Sequence, residues 1–215
     1  RGYYEMPSDH IYIRPESWDK PFEAPEHVCS SYDNCHVPWG STHEKTWHLV
    51  KTLPHVSGLF VWTGFDYLGE PTPYWWPSRS SFFGIVDLAG FPKDVYYMYK
   101  SEWTDEPVLH IFPHWNWKVG EPVDIWAYYN NADEVELYLN GKSLGVQQKT
   151  DSTYHVSWRV PFTPGTLRAV SRLGGKEVLV KEIHTAGEPA RLVLTPDRSV
   201  IQADGSDLSF VTVDV

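Results

Sequence analysis

Cysteine is nearly absent from this 215-residue chain, which has only Cys29 and Cys35. A disulfide-scaffolded mini-domain is thereby excluded, while a bridge across the short HVCSSYDNC loop and a pair of free thiols both stay open. Cys29, Cys35 and His36 lack the spacing of the common zinc pairs. Positive charge is also scarce: 18 basic against 28 acidic residues leave a net charge of −10, which argues against a nucleic-acid or anionic-membrane partner. No run approaches the roughly 18 apolar residues that a membrane helix needs. The start, Arg1-Gly2-Tyr3-Tyr4-Glu5, shows no leader pattern, and in a chain that begins without Met this says little about compartment. A Gly-rich phosphate loop, a GxSxG elbow and an HxxxH helix pair are all missing, and His43 and His48 fall on different helix faces. Neither a cofactor nor a metal site is expected.

Aromatic residues are what the chain has in excess. Eleven Trp and thirteen Tyr exceed the needs of a core of this size, and many fall in loop-like stretches, where rings stack on ligands. The most telling stretch is GLFVWTGFDYLGEPTPYWW, residues 58–76. Gly58–Gly64 is a short uncharged run bounded by Gly and Pro, and it predicts a strand buried on both faces. Asp66, Tyr67, Glu70, Tyr74, Trp75 and Trp76 follow its C-terminal end, where barrels and open α/β sheets place their ligand sites. Tryptophans beside carboxylates suit the apolar face and the hydroxyls of a sugar.

Three textures follow one another along the chain. Residues 1–104 open with a long Pro- and aromatic-rich loop to about residue 38. Ser41-Thr42-His43-Glu44 then reads as a capping box for a helix to about Leu53 that Pro54 stops. The run 58–64, a second apolar run Phe82–Asp87 and a helix opened by Pro92 complete an α/β alternation too short to close a sheet. Residues 105–187 carry seven short alternating segments, with hairpin turns at Asn140-Gly141 and Gly174-Gly175, and predict an immunoglobulin-type antiparallel sandwich. Val135, Leu137 and Leu139 would face its core. Residues 188–215 hold about three strands, too few to stand alone, so the chain is expected to be cut at both ends.

A glycosidase needs two carboxylates flanking the scissile bond. Asp66 and Glu70 stand at the right end of the first run, and Glu5 and Asp9 lie in the opening loop. The plainer reading of Asp66 is a loop carboxylate accepting backbone or indole hydrogen bonds. In a different class of function, the sandwich is a carbohydrate-binding module with a stacking platform at His114, Trp115 and Trp117, or at Trp126 and Trp158. Against that, Trp126 and Trp158 read equally as inter-sheet core. A pure structural linker is the third reading.

GLFVWTGFDYLGEPTPY, preceded by SSYDNCHVPWGSTHEKTW, resembles the end of the catalytic (β/α)8 barrel of glycoside hydrolase family 2, and more narrowly the Bacteroides-type β-galactosidases. NADEVELYLNGKSLG resembles the immunoglobulin-like domain that follows that barrel, and EPARLVLTPDRSVIQADGSDLSFVTVDV the start of a further β-sandwich. The resemblance implies a fragment of a retaining enzyme that cleaves terminal β-galactosides. Trp62 would be the wall of the sugar pocket at the end of the eighth barrel strand. Asp66, Tyr67 and Trp75 would lie on the substrate-binding rim. The family's acid/base sits in an Asn-Glu pair, which this chain lacks, and its nucleophile precedes a Ser-Arg-Gly-like segment that Arg1-Gly2 continues. Both catalytic glutamates are therefore expected upstream of Arg1, and the fragment alone is expected to be inactive. The β-glucuronidases of the family carry Asn-x-Lys before Gly-Ile; here Ser81-Phe82-Phe83 precedes Gly84-Ile85, which favours a neutral sugar. The implied partner is a carbohydrate, homo-oligomerisation is left open, and a periplasmic or secreted bacterial location is expected.

Overall fold

A computed structural model describes residues 30–34, 36, 40–71 and 77–215. The described residues up to Thr185 form one compact unit and Ala186–Val215 a second.

The larger unit holds two helices, α1 (His43–Thr52) and α2 (Asp94–Trp103). Seven strands follow: β1 (Leu109–Phe112), β2 (Pro122–Tyr129), β3 (Glu134–Leu139), β4 (Lys142–Gln147), β5 (His155–Pro161), β6 (Thr166–Leu173) and β7 (Lys176–His184). They pair antiparallel into a three-stranded sheet, β1-β2-β5, and a four-stranded sheet, β4-β3-β6-β7. This is an antiparallel β-sandwich of two sheets, with β4 paired to β3 in the second sheet. Period-2 patterning builds it: Val135 and Leu137 point inward and are fully buried, while Glu134 and Glu136 point out. Asn140 and Gly141 both take positive φ, 51° and 79°, as a tight hairpin between right-twisted strands requires. Asn140 also accepts from the Thr166 amide and donates to the Pro164 carbonyl, tying the hairpin to the start of β6.

β2 departs from the simple alternation. Apart from Pro122 it is buried along its whole length. Val123, Ile125, Ala127 and Tyr129 enter the inter-sheet core together with Trp115, Leu137, Trp158 and Leu167. Trp126 and Tyr128 face the other way, into a second cluster with Tyr32, Met98, Tyr99, Phe112 and Tyr154. That second layer comes from α1, α2 and the 30–34 loop. Polar ties hold it down. Tyr32 Oη donates to the Asp124 carbonyl (2.7 Å), Asp94 pairs with His110 of β1 (2.7 Å), and Glu44 of α1 pairs with His155 of β5 (2.7 Å). His155 lies flat on Trp126, ring centroids 3.6 Å apart at 4°, and His110 flat on Tyr97, 3.8 Å at 8°.

Glu102 of α2 joins three elements. It accepts from Trp47 Nε1 (3.0 Å) and Lys51 Nζ (2.8 Å) of α1, and from Lys149 (3.3 Å), which leads into β5. Burial works to raise the Glu102 carboxyl, but the hydrogen bonds from Lys51 and Trp47, with Lys149 nearby, hold it below the usual range. Burial pulls the Lys149 ammonium down, against the attraction of Glu102.

Two expectations need correction. The N-cap of α1 is Thr42, one residue later than the capping box requires, and it makes no side-chain cap bond. The carboxylate of Asp33 does that work from a preceding loop, accepting the His43 and Glu44 amides at 2.8 and 2.6 Å. Glu44 is thereby released to reach His155. The second correction concerns 58–64, which bends at Trp62 and Gly64 and forms no strand buried on both faces. Leu59 and Val61 are half-buried, whereas Phe60 and Trp62 are exposed. Among the described residues this segment has one paired neighbour, 83–86, and packing on one face only.

The smaller unit is a hairpin of β8 (Val193–Pro196) and β9 (Val211–Asp214), one strand fewer than expected, and both strands are exposed throughout. No described helix is long and apolar enough to cross a membrane.

Candidate functional site

Residues 63–66 run parallel to 83–86. The Thr63 amide donates to Phe83 O and its carbonyl accepts from Ile85 N (both 3.0 Å); Asp66 N then donates to Val86 O (2.9 Å). The two backbones approach so closely at Gly84 that a Cβ there would stand 2.1 Å from Asp66 N. Only glycine fits that crossing.

Trp62 sits at the exposed edge of this crossing, 74% exposed, and its peptide bond to Thr63 is cis. Its indole Nε1 donates to Tyr67 Oη (3.3 Å), and Tyr67 Oη donates to Glu70 Oε2 (2.6 Å). The Trp62 and Tyr67 rings meet edge to face, 6.2 Å apart at 86°, and Tyr67 in turn leans on Phe83. The bond to Glu70 pushes the Tyr67 phenol above its ordinary range. Among the described residues, an indole held by its edge and largely exposed offers ring surface for stacking and no group that could act as an acid or a base.

Asp66 has a structural task. Its Oδ1 accepts the Gly84 amide (2.8 Å) and Lys93 Nζ (2.7 Å), and Lys93 also donates to Phe82 O (2.9 Å). The Asp66 and Lys93 side chains are only 11% and 13% exposed. This is the plainer reading of Asp66, with Lys93 as a partner not visible from spacing. Glu70 is occupied by Tyr67. The structure thus brings Trp62, Tyr67 and Glu70 into one chain of contacts and locks Asp66 beneath them. Trp75, like Tyr74, Trp76, Glu5, Asp9, Cys29 and Cys35, lies outside the described residues. Among the described residues, no group of three or more His, Cys, Asp or Glu is gathered for a metal ion.

The rings named for the sandwich platforms fall in different places. Trp115 is 1% exposed, in the inter-sheet core against Phe162, with its indole donating to Thr163 O. Trp158 is inter-sheet core too, donating to Gly145 O. Trp126, expected either on a platform or between the sheets, is on the outer face of the first sheet, under the helix layer. Trp117 is stacked on His114 at 4.7 Å. Burial has consumed Trp115, Trp126 and Trp158, and leaves His114 exposed with Trp117 half-buried against it.

Residues 120–179, the heart of the sandwich, match a family described as a domain of unknown function, DUF4982. The chain is 63% identical to Beta-galactosidase BoGH2A of Bacteroides ovatus over 215 residues, 100% of this chain and 25% of that protein. A solved family 2 glycosyl hydrolase from Bacteroides cellulosilyticus superposes with a TM-score of 0.67 at 34% identity, covering 80% of this chain and 25% of its own. The chain belongs to glycoside hydrolase family 2. A β-glycosidase of Bacteroides vulgatus matches this family 2 chain over 100% of its length and 30% of its own, with a TM-score of 0.79 and 31% identity. A protein of Formosa agariphila named as a putative β-glucuronidase is 38% identical over 206 residues, 89% of this chain and 19% of that one. This family 2 chain therefore spans between 19% and 30% of the length of these relatives.

Proposed function

We propose that this family 2 chain is part of a retaining β-galactosidase, in which residues 1–104 end the catalytic (β/α)8 barrel, residues 105–187 form the accessory sandwich, and residues 188–215 begin a further β domain. The observation that carries it is Trp62: an exposed indole, pinned by Tyr67 on a segment that crosses its neighbour at Gly84, stands as a wall for the apolar face of a sugar. Tyr67 lies on the rim beside it, and Trp75 is assigned to the same rim from its place in the loop. Asp66 supports the wall from beneath. The two glutamates of the double displacement are assigned to residues preceding Arg1, and a periplasmic or secreted location goes with this reading.

Galactose is favoured over glucuronic acid by the 63% identity to a protein named β-galactosidase and by the employment of Lys93. That ammonium is paired with Asp66, so it is not available for a sugar carboxylate. The glucuronide reading stays as the second one, because relatives such as the Formosa protein carry that name. The test is turnover by the full-length parent of chromogenic β-galactoside and β-glucuronide. Faster cleavage of the galactoside is expected; preference for the glucuronide moves the reading to the second substrate, and no cleavage of any neutral β-glycoside overturns it. The 215-residue chain alone is expected to cleave neither.

A further inference from the structure

We infer that Lys93 is a positioning residue for the sugar-pocket wall, setting affinity for the glycon through Asp66 without touching the sugar. This rests on the pocket-wall reading of Trp62 given above.

Lys93 occupies a junction. Its side chain crosses from the N-cap of α2 to Asp66 Oδ1 (2.7 Å) and Phe82 O (2.9 Å), while its own amide donates to Ile85 O (2.9 Å). The ammonium therefore grips both strands of the crossing at Gly84: the Asp66 side that leads back to Trp62, and the 82–86 side. Asp66 Oδ1 receives the Gly84 amide as well, so one carboxylate oxygen and one ammonium fix the mutual register of the two segments. Thr63, covalently next to Trp62, takes both of its backbone hydrogen bonds from the segment Lys93 holds. The pair is nearly buried, so its attraction is little screened, and losing one partner leaves the other charge poorly solvated. Lys93 is followed by Asp94, whose carboxylate is taken by His110 of β1. The N-terminus of α2 thus holds the wall with one residue and the sandwich with the next.

Nothing requires Lys93 to change between substrate and transition state, so its loss should weaken both equally, raising KM with kcat little altered. In the full-length parent, Lys93→Met is expected to raise KM for a β-galactoside about tenfold and to leave kcat within about threefold. Lys93→Arg, which keeps the cation, is expected to recover most of the loss. In a Trp62→Ala background, Lys93→Met is expected to add no further rise, because the residue acts through that wall. An unchanged KM, or the same tenfold rise without Trp62, overturns the assignment.

A second readout does not depend on activity. In this chain labelled with 5-fluorotryptophan, the Trp62 resonance, assigned by its loss in Trp62→Phe, is expected to move in Lys93→Met while those of Trp115 and Trp158 stay in place. An unmoved Trp62 signal overturns the assignment. If Lys93→Met does not fold, Asp66→Asn, which retains an acceptor for the Gly84 amide, is read in the same way. A parent inactive on β-galactosides would sink the proposed function and leave Lys93 to be judged on this signal alone.

Discussion

β2 and the 58–66 segment are both aromatic-rich apolar runs, yet they end in opposite environments. β2 is sealed between the inter-sheet core and the helix layer. The 58–66 segment packs Val61 against that same layer and leaves Phe60 and Trp62 open. Hydrophobicity alone does not decide burial; a run is sealed on as many faces as there are elements to lie against it. What distinguishes β2 is a second set of partners, α1, α2 and Tyr32, drawn from residues that precede the sandwich in the chain.

The sharpest way to break this comparison is to cut into each face of β2 separately. Trp126→Ala, on the helix-layer face, is expected to cost about 3–5 kcal/mol, as much as Trp115→Ala in the inter-sheet core. Urea unfolding of the two variants measures this, and a Trp126→Ala cost below about 1 kcal/mol would show that the outer face is not core.

Next in size is Glu102→Gln, which removes the charged tie between α1, α2 and the β4–β5 connection, for an expected loss of about 2 kcal/mol at neutral pH. Its pH dependence has a definite sign. Glu102 titrates lower in the fold than in the unfolded chain, so its contribution is present above the ordinary glutamate range and is lost as pH falls through the lowered folded value. The gap between wild type and Glu102→Gln, followed by denaturant melts across the acid range, should therefore close on acidification. A gap that widens would refute the role given to Lys51 and Lys149.

Asn140→Ala is expected to cost about 1–2 kcal/mol, because alanine is strained at φ 51° and the bonds to Thr166 and Pro164 are lost. Smallest is Phe60→Ser, expected to stay within about 0.5 kcal/mol in this chain, since the ring is bare. In the full-length parent the same change is expected to cost about 2 kcal/mol or more, because a closed barrel would supply the missing layer. Thermal melts of the two proteins side by side would show whether that layer exists.

The sandwich was largely legible in the sequence because its signals are local. Val135 and Leu137 alternate with acids, and Asn140-Gly141 names its own turn. Trp62 was legible through the family resemblance and Tyr67 through its place just past the apolar run; their direct contact was not. What could not be read depends on partners distant along the chain. Asp33 caps a helix that has its own local candidate at Ser41, and the remote carboxylate prevails because it reaches two amides at once. Lys93 lies 27 residues from Asp66, and no spacing rule links them. Gly84 did leave a trace, a lone glycine inside an apolar run, which signals a close backbone approach. Trp126 and Trp158 look alike in sequence, and only the choice of face on neighbouring strands separates them.

The double burial of β2 has a practical bearing on how this protein can be taken apart. A cut at Thr104, where the texture of the sequence changes, would strip the cover from Phe112, Trp126 and Tyr128 and turn one side of the three-stranded sheet into a greasy plate. The released sandwich would be expected to stick to itself, so apparent adhesion of the isolated piece to a glycan resin would say nothing about recognition. Grafting it onto another protein would require carrying α1 and α2 along, or repainting that face with polar residues. The seam that the change of texture marks in the sequence is, for solubility, the middle of a single body.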